Sequence, residues 1–348
     1  MKQFLPICLL TGLVAAGCAP VGERSEPAAV VPDTIRVAVS AWYPVNGANI
    51  DQSATGDWGE SLSFTRQKVD SLTLALAREL TEGSRYHGDS RSDAVPSLVY
   101  EIIRTEEYLE PLPTAERPDG RVPMTDYRSI VERMGVEDLV TREDVDEIWV
   151  WGYHGGVLDL WESNMAGPWG DVSNSDRDPD DLPVFDRTYT VYHYNYQRGL
   201  AETIENHLHQ FEALVNHLDG RDSAPEDAWS ELLFWGHFVG SDISHKLLEP
   251  RRAGWSHYPP NAEADYEWAR TDTVLSDIDD WTPAGTGTFS PITCAAWECS
   301  HLGWFRYWMR RIPGRDNGLY HEGEALRDWW TVVSRWDEAK QENWTLVQ

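Results

Sequence analysis

Between residues 34 and 218 the chain switches repeatedly between two hydrophobic periods, and that alternation limits the folds open to it. Residues 35–43 alternate, carry β-branched side chains and stop at Pro44, predicting a strand. Residues 61–79 follow a helical period, with Leu72, Leu74, Leu76 and Leu80 supplying part of an apolar face. Residues 97–104 predict a second strand, 126–134 a helix, and 146–151 a third strand that is apolar enough to be well buried. A fourth strand, aromatic and strongly alternating, spans 187–196 and runs into a long helix over 199–218. Strands and helices taken in turn argue for an α/β layered domain with a mainly parallel sheet in the N-terminal half. Such sheets collect ligands beyond the carboxyl ends of their strands. That directs attention to residues 152–170 and to the start of the long helix. The C-terminal half reads differently: tryptophan-rich helical stretches at 229–238 and 302–312 flank an irregular aromatic segment, 253–293. A loop-rich run of that length inside an ordered domain is usually functional.

The N-terminal segment predicts export. Met1 and Lys2 start it, residues 4–14 are apolar, and Ala15-Ala16-Gly17-Cys18 closes it. That layout is an export signal, too short for a permanent membrane span. The closing residues resemble the bacterial lipoprotein box, with Ala15 in place of the usual leucine. The resemblance implies that Cys18 becomes the first mature residue and carries a lipid, so that the partner is the membrane and the location is the cell envelope. An ordinary cleaved secretory signal is the alternative. Small, polar and proline-containing residues then form a tether, giving an organisation of signal 1–17, lipidated tether 18–33 and a single domain 34–348. Cys8 falls in the signal, which leaves Cys294 and Cys299, five residues apart. In an oxidising compartment the pair reads as a local disulfide, in preference to half of a zinc site.

The 58 acidic and 29 basic residues give a formal net charge of −29. Non-specific nucleic-acid binding, which requires neutralising phosphates with Lys and Arg, is therefore excluded. Attraction to anionic headgroups is excluded on the same ground. Eighteen tryptophans serve either a core or ligand platforms.

The sharpest constellation is on the long helix. Glu202, Glu205, His209 and Glu212 fall within roughly 80° of one another, on a different face from Ile204, Leu208, Phe211 and Val215. Glu205 and His209 have the four-residue spacing that lets one helix grip a metal ion. A solvated polar face with helix-stabilising pairs is the competing reading. The His-Glu-x-x-His protease pattern is missing, and Asn206 stands where its base would be. The segment around His257, with Tyr258, two prolines, Asn261 and Asp265, offers a third ligand in His257, against the alternative of a satisfied loop histidine. Glu162, beside Trp161, is a candidate general acid or base in a desolvated setting, and Glu212 is a second candidate for moving protons. The acidic run 176–181 has oxygen ligands but not a full calcium-loop spacing and reads as a solvated loop.

The motif order Asp146-Glu147-x-Trp149, Trp161-Glu162-Ser163, Met165 to Pro168, His209-x-x-Glu212, His257 to Asn261 and Ser300 to Phe305 resembles a family of secreted bacterial and fungal proteins. The likeness runs from about residue 34 to 330. It implies where a site would lie and no reaction, and it implies that the position of Glu205 is often histidine, a swap between two metal-ligand types. The expected function is a lipid-anchored, metal-supported hydrolase, with zinc on Glu205, His209 and His257. Trp169, Trp255, Asn261, Asp265 and His301 are its expected substrate contacts, and the substrate would be a glycan or peptide. The alternative is a non-catalytic glycan-binding lipoprotein in which Trp169, Trp255 and Trp281 stack on sugar rings.

Overall fold

A computed structural model describes residues 31–116 and 121–348 of the chain. The expected signal, Cys18 and nearly all of the tether lie outside the described residues. Five strands form one sheet: β1 (Asp33–Trp42), β2 (Leu98–Tyr108), β3 (Glu147–Gly152), β4 (Ser163–Ala166) and β5 (Tyr189–Asn195). The helices that matter for the site are α1 (Leu62–Gly83), α2 (Tyr127–Met134), α3 (Leu200–Leu218) and α4 (His301–Met309).

The sheet order is β2-β1-β3-β5-β4. The first four strands run parallel, pairing Asp33 with Leu98, Val37 with Glu147, and Glu147 with Thr190. The edge strand β4 is antiparallel to β5, with Ser163 opposite Tyr192. This is the α/β layered architecture that the alternation predicts. Burial explains the order: β3 is buried along its whole length and β1 from Ala38 onward, as central strands covered on both faces must be. Strand β2 carries Glu101, Glu106 and Glu107 and forms the other edge. Residues 163–166, directly after Glu162, form strand β4, an element the sequence reading does not assign.

Two local expectations are corrected. Leu74 is largely exposed on α1, and the buried face uses Val69, Leu76, Ala77 and Leu80. Residues two apart on a helix differ by about 200°, so Leu74 cannot share a face with both Leu72 and Leu76. Residues 229–238 form a 3₁₀ turn, Glu226–Glu231, followed by a π-helical turn, Leu233–Val239, in place of one regular helix.

Helix α3 packs on α1, α4, β4 and β5. Every residue from Asn206 to Asn216 is buried, polar ones included. Its polar face is therefore not solvated, and each polar side chain on it needs a protein partner. The C-terminal half is built on tryptophan clusters, with Trp281 and Trp329 packed edge-on against Phe238. The Cys294–Cys299 disulfide closes the turn before α4, whose first turn is capped by Ser300 Oγ accepting from Gly303 N–H at 3.0 Å. The described core belongs to residues 32–348, a compact unit. No helix among the described residues is long and apolar enough to cross a membrane.

Glu147 opens β3 inside this core, accepting a hydrogen bond from Trp149 Nε1 at 2.7 Å. Burial lifts its pKa, the Trp149 bond opposes the rise and the Asp146 charge adds to it, bringing the acid from 4.5 to about 8. The native chain thus keeps a proton that the unfolded chain releases, and stability falls as pH rises from the ordinary glutamate range to about 8. Glu147→Gln keeps the acceptor for Trp149 and removes the titration. We expect its stability advantage in urea unfolding to grow with pH across that window, by up to about 1.4 kcal/mol per pH unit.

Candidate metal site

Helix α3 and one loop supply the site. His209 lies in the middle of α3 with Glu205 one turn before it, and His257 lies within a tight turn in which Trp255 and Tyr258 exchange backbone hydrogen bonds. Gly254 enters that turn at φ +71°, and a Cβ there would meet Tyr258 O at 2.1 Å, so only glycine fits. Indole N–H groups hold the loop in place. Trp304 Nε1 and Trp268 Nε1 both donate to Ser256 O, at 2.9 and 3.2 Å, and Trp308 Nε1 donates to Gly254 O at 3.1 Å. Helix α4 thus fixes the loop that carries His257.

The result is a convergence of donors. His209 Nε2 and His257 Nε2 are 3.1 Å apart. Glu205 Oε1 lies 3.2 Å from His257 Nε2 and 3.9 Å from His209 Nε2. Donors bound at about 2.0–2.1 Å to one tetrahedral ion stand about 3.3 Å from each other. These spacings match that figure closely enough that Glu205, His209 and His257 could hold a metal ion. The three residues anticipated as ligands are the three that the fold brings together.

Each histidine has a carboxylate behind it. His209 Nδ1 faces Glu212 Oε2 at 3.4 Å, and His257 Nδ1 faces Asp265 Oδ1 at 3.5 Å. A carboxylate only accepts, so in the neutral rings the protons sit on Nδ1 and both Nε2 lone pairs point at the common centre. Glu212 is itself fixed, accepting from Ser256 N–H at 3.0 Å and from Ser256 Oγ at 3.2 Å. Behind Glu205 stands His301, with its Nε2 3.5 Å from Glu205 Oε2 and its ring stacked on Trp268 at 3.6 Å.

Charge in the site follows from these contacts. Burial alone would lower the His209 pKa, but the Glu212 hydrogen bond and the charges of Glu212, Glu162 and Glu205 outweigh it and lift it to about 9. Burial would raise Glu205, but hydrogen bonds from His257 and His301 and the charge of His209 bring it down to about 2. Both shifts say that buried negative charge at this point demands a positive partner, which a proton on imidazole or a divalent cation supplies.

Glu162 is on the opposite wall, half-exposed, with Oε2 3.9 Å from His209 Nε2 and accepting from Asn174 Nδ2 at 2.9 Å. It borders two adjoining spaces. One is a cleft of about 720 Å³ containing His209, His257, Trp255 and Tyr266. The other, of about 470 Å³, lies beyond the carboxyl ends of β3 and β5 and reaches Asn195, Arg198 and Glu202. Ligand space therefore lies where parallel-sheet topology places it.

The remaining expected contacts divide. Trp255 lines the cleft, whereas Asp265 and His301 support the ligands His257 and Glu205. Asn261 is buried and donates its amide to the carbonyls of Arg270 and Asp272, at 2.6 and 3.0 Å, which pins the loop. Trp169 is exposed and does not border the cleft. Trp281 is buried, with Nε1 donating to His237 O, so it cannot stack on a sugar. Trp161 stacks on Tyr127, with ring centres 4.8 Å apart. Asn206 donates to His193 O at 2.9 Å and ties α3 to β5. Sequence reasoning missed Ser256 and Asn174, whose only signal is adjacency to His257 and to the acidic run. No family model and no curated protein matches the chain.

With zinc as the probe ion, Glu212→Gln and Ser256→Ala should each weaken binding about 10–100-fold. Competition against a chromophoric chelator measures this. Trp169→Ala, at an exposed residue outside the cleft, should leave the affinity unchanged.

Proposed function

We propose that the chain is an exported, lipid-anchored hydrolase that depends on a metal ion, best supplied as zinc. The observation that carries the proposal is the convergence of His209 Nε2, His257 Nε2 and Glu205 Oε1, each imidazole backed by a carboxylate. Two nitrogens and one oxygen suit zinc, and three protein ligands leave a coordination position for water or substrate. Such an ion polarises a scissile bond and makes bound water a nucleophile near neutral pH.

The protein groups would do the rest. Glu162, on the far side of His209 and open to the cleft, is placed to take a proton from attacking water and deliver it to the leaving group. Asn174 holds the Glu162 carboxylate in position. Glu212, committed to Ser256 and His209, holds the ligand tautomer, so proton transfer falls to Glu162. Asn206 is occupied in tying α3 to the sheet, so a base at the metalloprotease position is missing and Glu162 on β4's flank replaces it. The envelope location and the lipid on Cys18 are part of the proposal and rest on the N-terminal sequence.

A second reading draws on the aromatic side chains of the cleft. Trp255 and Tyr266 border it, which supports glycan binding without turnover.

The zinc-loaded 32–348 unit should cleave at least one substrate in a screen of esters, amides and glycosides. Chelation should abolish that turnover and zinc should restore it. Glu162→Gln should lower kcat about 100-fold or more while retaining the metal. Turnover that survives chelation would contradict the proposal. Saturable oligosaccharide binding, equal with and without zinc and without cleavage, would favour the glycan reading.

A further inference from the structure

The cleft continues along α3 beyond the metal site. Its floor is one face of that helix, formed by His209, Glu212, Ala213 and Asn216 at positions i, i+3, i+4 and i+7. At its far end stands Arg221, whose backbone N–H donates to Asn216 O at 2.9 Å. The Arg221 guanidinium lies over two indoles, 5.0 Å from the centre of Trp229 and 4.7 Å from that of Trp235.

Among the described residues no carboxylate or carbonyl accepts a hydrogen bond from that guanidinium, and none of its nitrogens is sealed from solvent without a partner. The neighbouring acid Asp222 is engaged by Arg177 Nη1 and His217 Nδ1, both at 2.7 Å. Two other arginines, Arg252 and Arg311, make direct ion pairs, with Asp277 and with Asp89 and Asp279. The charges of Glu212, Asp222 and Asp219 act on Arg221 through space, but none of these carboxylates bonds its guanidinium, which borders the cleft.

We propose that Arg221 binds an oxyanionic group on the substrate, a carboxylate or a phosphate. The assignment rests on the hydrolase reading and names its substrate class. A planar guanidinium held on indole faces presents paired N–H donors that match either oxyanion. Seven residues separate His209 from Asn216, so the anion sits about 10 Å along α3 from the bond to be broken. The substrate is thus an extended molecule with an acidic group at one end. The net charge of −29 repels free anions, so saturable anion binding by this chain requires a local cation such as Arg221.

Calorimetric titration tests this, with inorganic phosphate and glutarate as probes, glutaramide as the neutral control, constant ionic strength, and the 32–348 unit both zinc-free and zinc-loaded. The expected result is saturable binding of at least one anion to both forms and none of glutaramide. Arg221→Gln should weaken binding at least ten-fold, and Arg221→Lys, which keeps the charge but not the fork, should weaken it less. Zinc stoichiometry should be unchanged in both variants. Preference for phosphate assigns a phosphate-bearing substrate, and preference for glutarate assigns a carboxylate-bearing one. No saturable binding of either anion overturns the proposal, as does binding unaffected in both variants. Binding that needs zinc and survives Arg221→Gln places the anion on the ion and also overturns it. A natural chain that takes up no zinc defeats the hydrolase reading, while the zinc-free titration still reports on Arg221.

Discussion

Burial of α3 from Asn206 to Asn216 is the constraint from which the rest of the structure follows. A helix enclosed by a sheet, two other helices and a loop can keep polar residues only if each has a partner, because an unsatisfied buried polar group costs about 1–3 kcal/mol. The partners are found on every side. Asn206 reaches β5, His207 stacks on Tyr192 at 3.9 Å, and Gln210 accepts from Ser163 Oγ at 2.7 Å and donates to Val172 O at 3.0 Å. These contacts fix the rotation of the helix about its axis. Fixing it also fixes where Glu205 and His209 point, and those two are left with one another, with His257 and with the cleft.

The tryptophans complete the same arrangement from the other half of the chain. Their bulk fills the C-terminal core, and their N–H groups hold backbone carbonyls that the irregular segment would otherwise leave unpaired. Trp268 and Trp304 share Ser256 O, and Trp297 Nε1 donates to Trp268 O at 2.6 Å. A loop with little regular structure thereby becomes rigid enough to present His257 opposite α3. Stability and site geometry depend on the same side chains, since Ser256 is both anchored by indoles through its carbonyl and bonded through its N–H to Glu212, which orients His209.

The parallel sheet was legible because β1, β3 and β5 are apolar and bounded by turn residues, and α3 because its period is unbroken. The four-residue spacing of Glu205 and His209, and the isolated His257 among prolines, were enough to suggest the ligands. What sequence could not show was environment. The polar residues of α3 look as they would on a solvated face, and only the packing of α1 and α4 around them shows that they are buried. Trp169 and Trp281 are chemically equivalent to Trp255, yet one is exposed, one is sealed in the core, and only Trp255 borders the cleft. Asn261 likewise resembles a substrate-binding amide until the carbonyls of Arg270 and Asp272 are placed against it. Arg221 had no signal at all, because its place at the end of the cleft, over Trp229 and Trp235, depends on three-dimensional neighbours.

The central claim is that two imidazoles and a carboxylate from α3 and the Ser256 loop enclose one cation. The most direct measurement is the zinc K-edge X-ray absorption spectrum of the loaded 32–348 unit, compared with His209→Ala. The account predicts light-atom ligands at about 2.0–2.1 Å with the outer-shell scattering of two imidazoles, reduced to one in the variant. A spectrum without imidazole scattering, or one unchanged by His209→Ala, would contradict it.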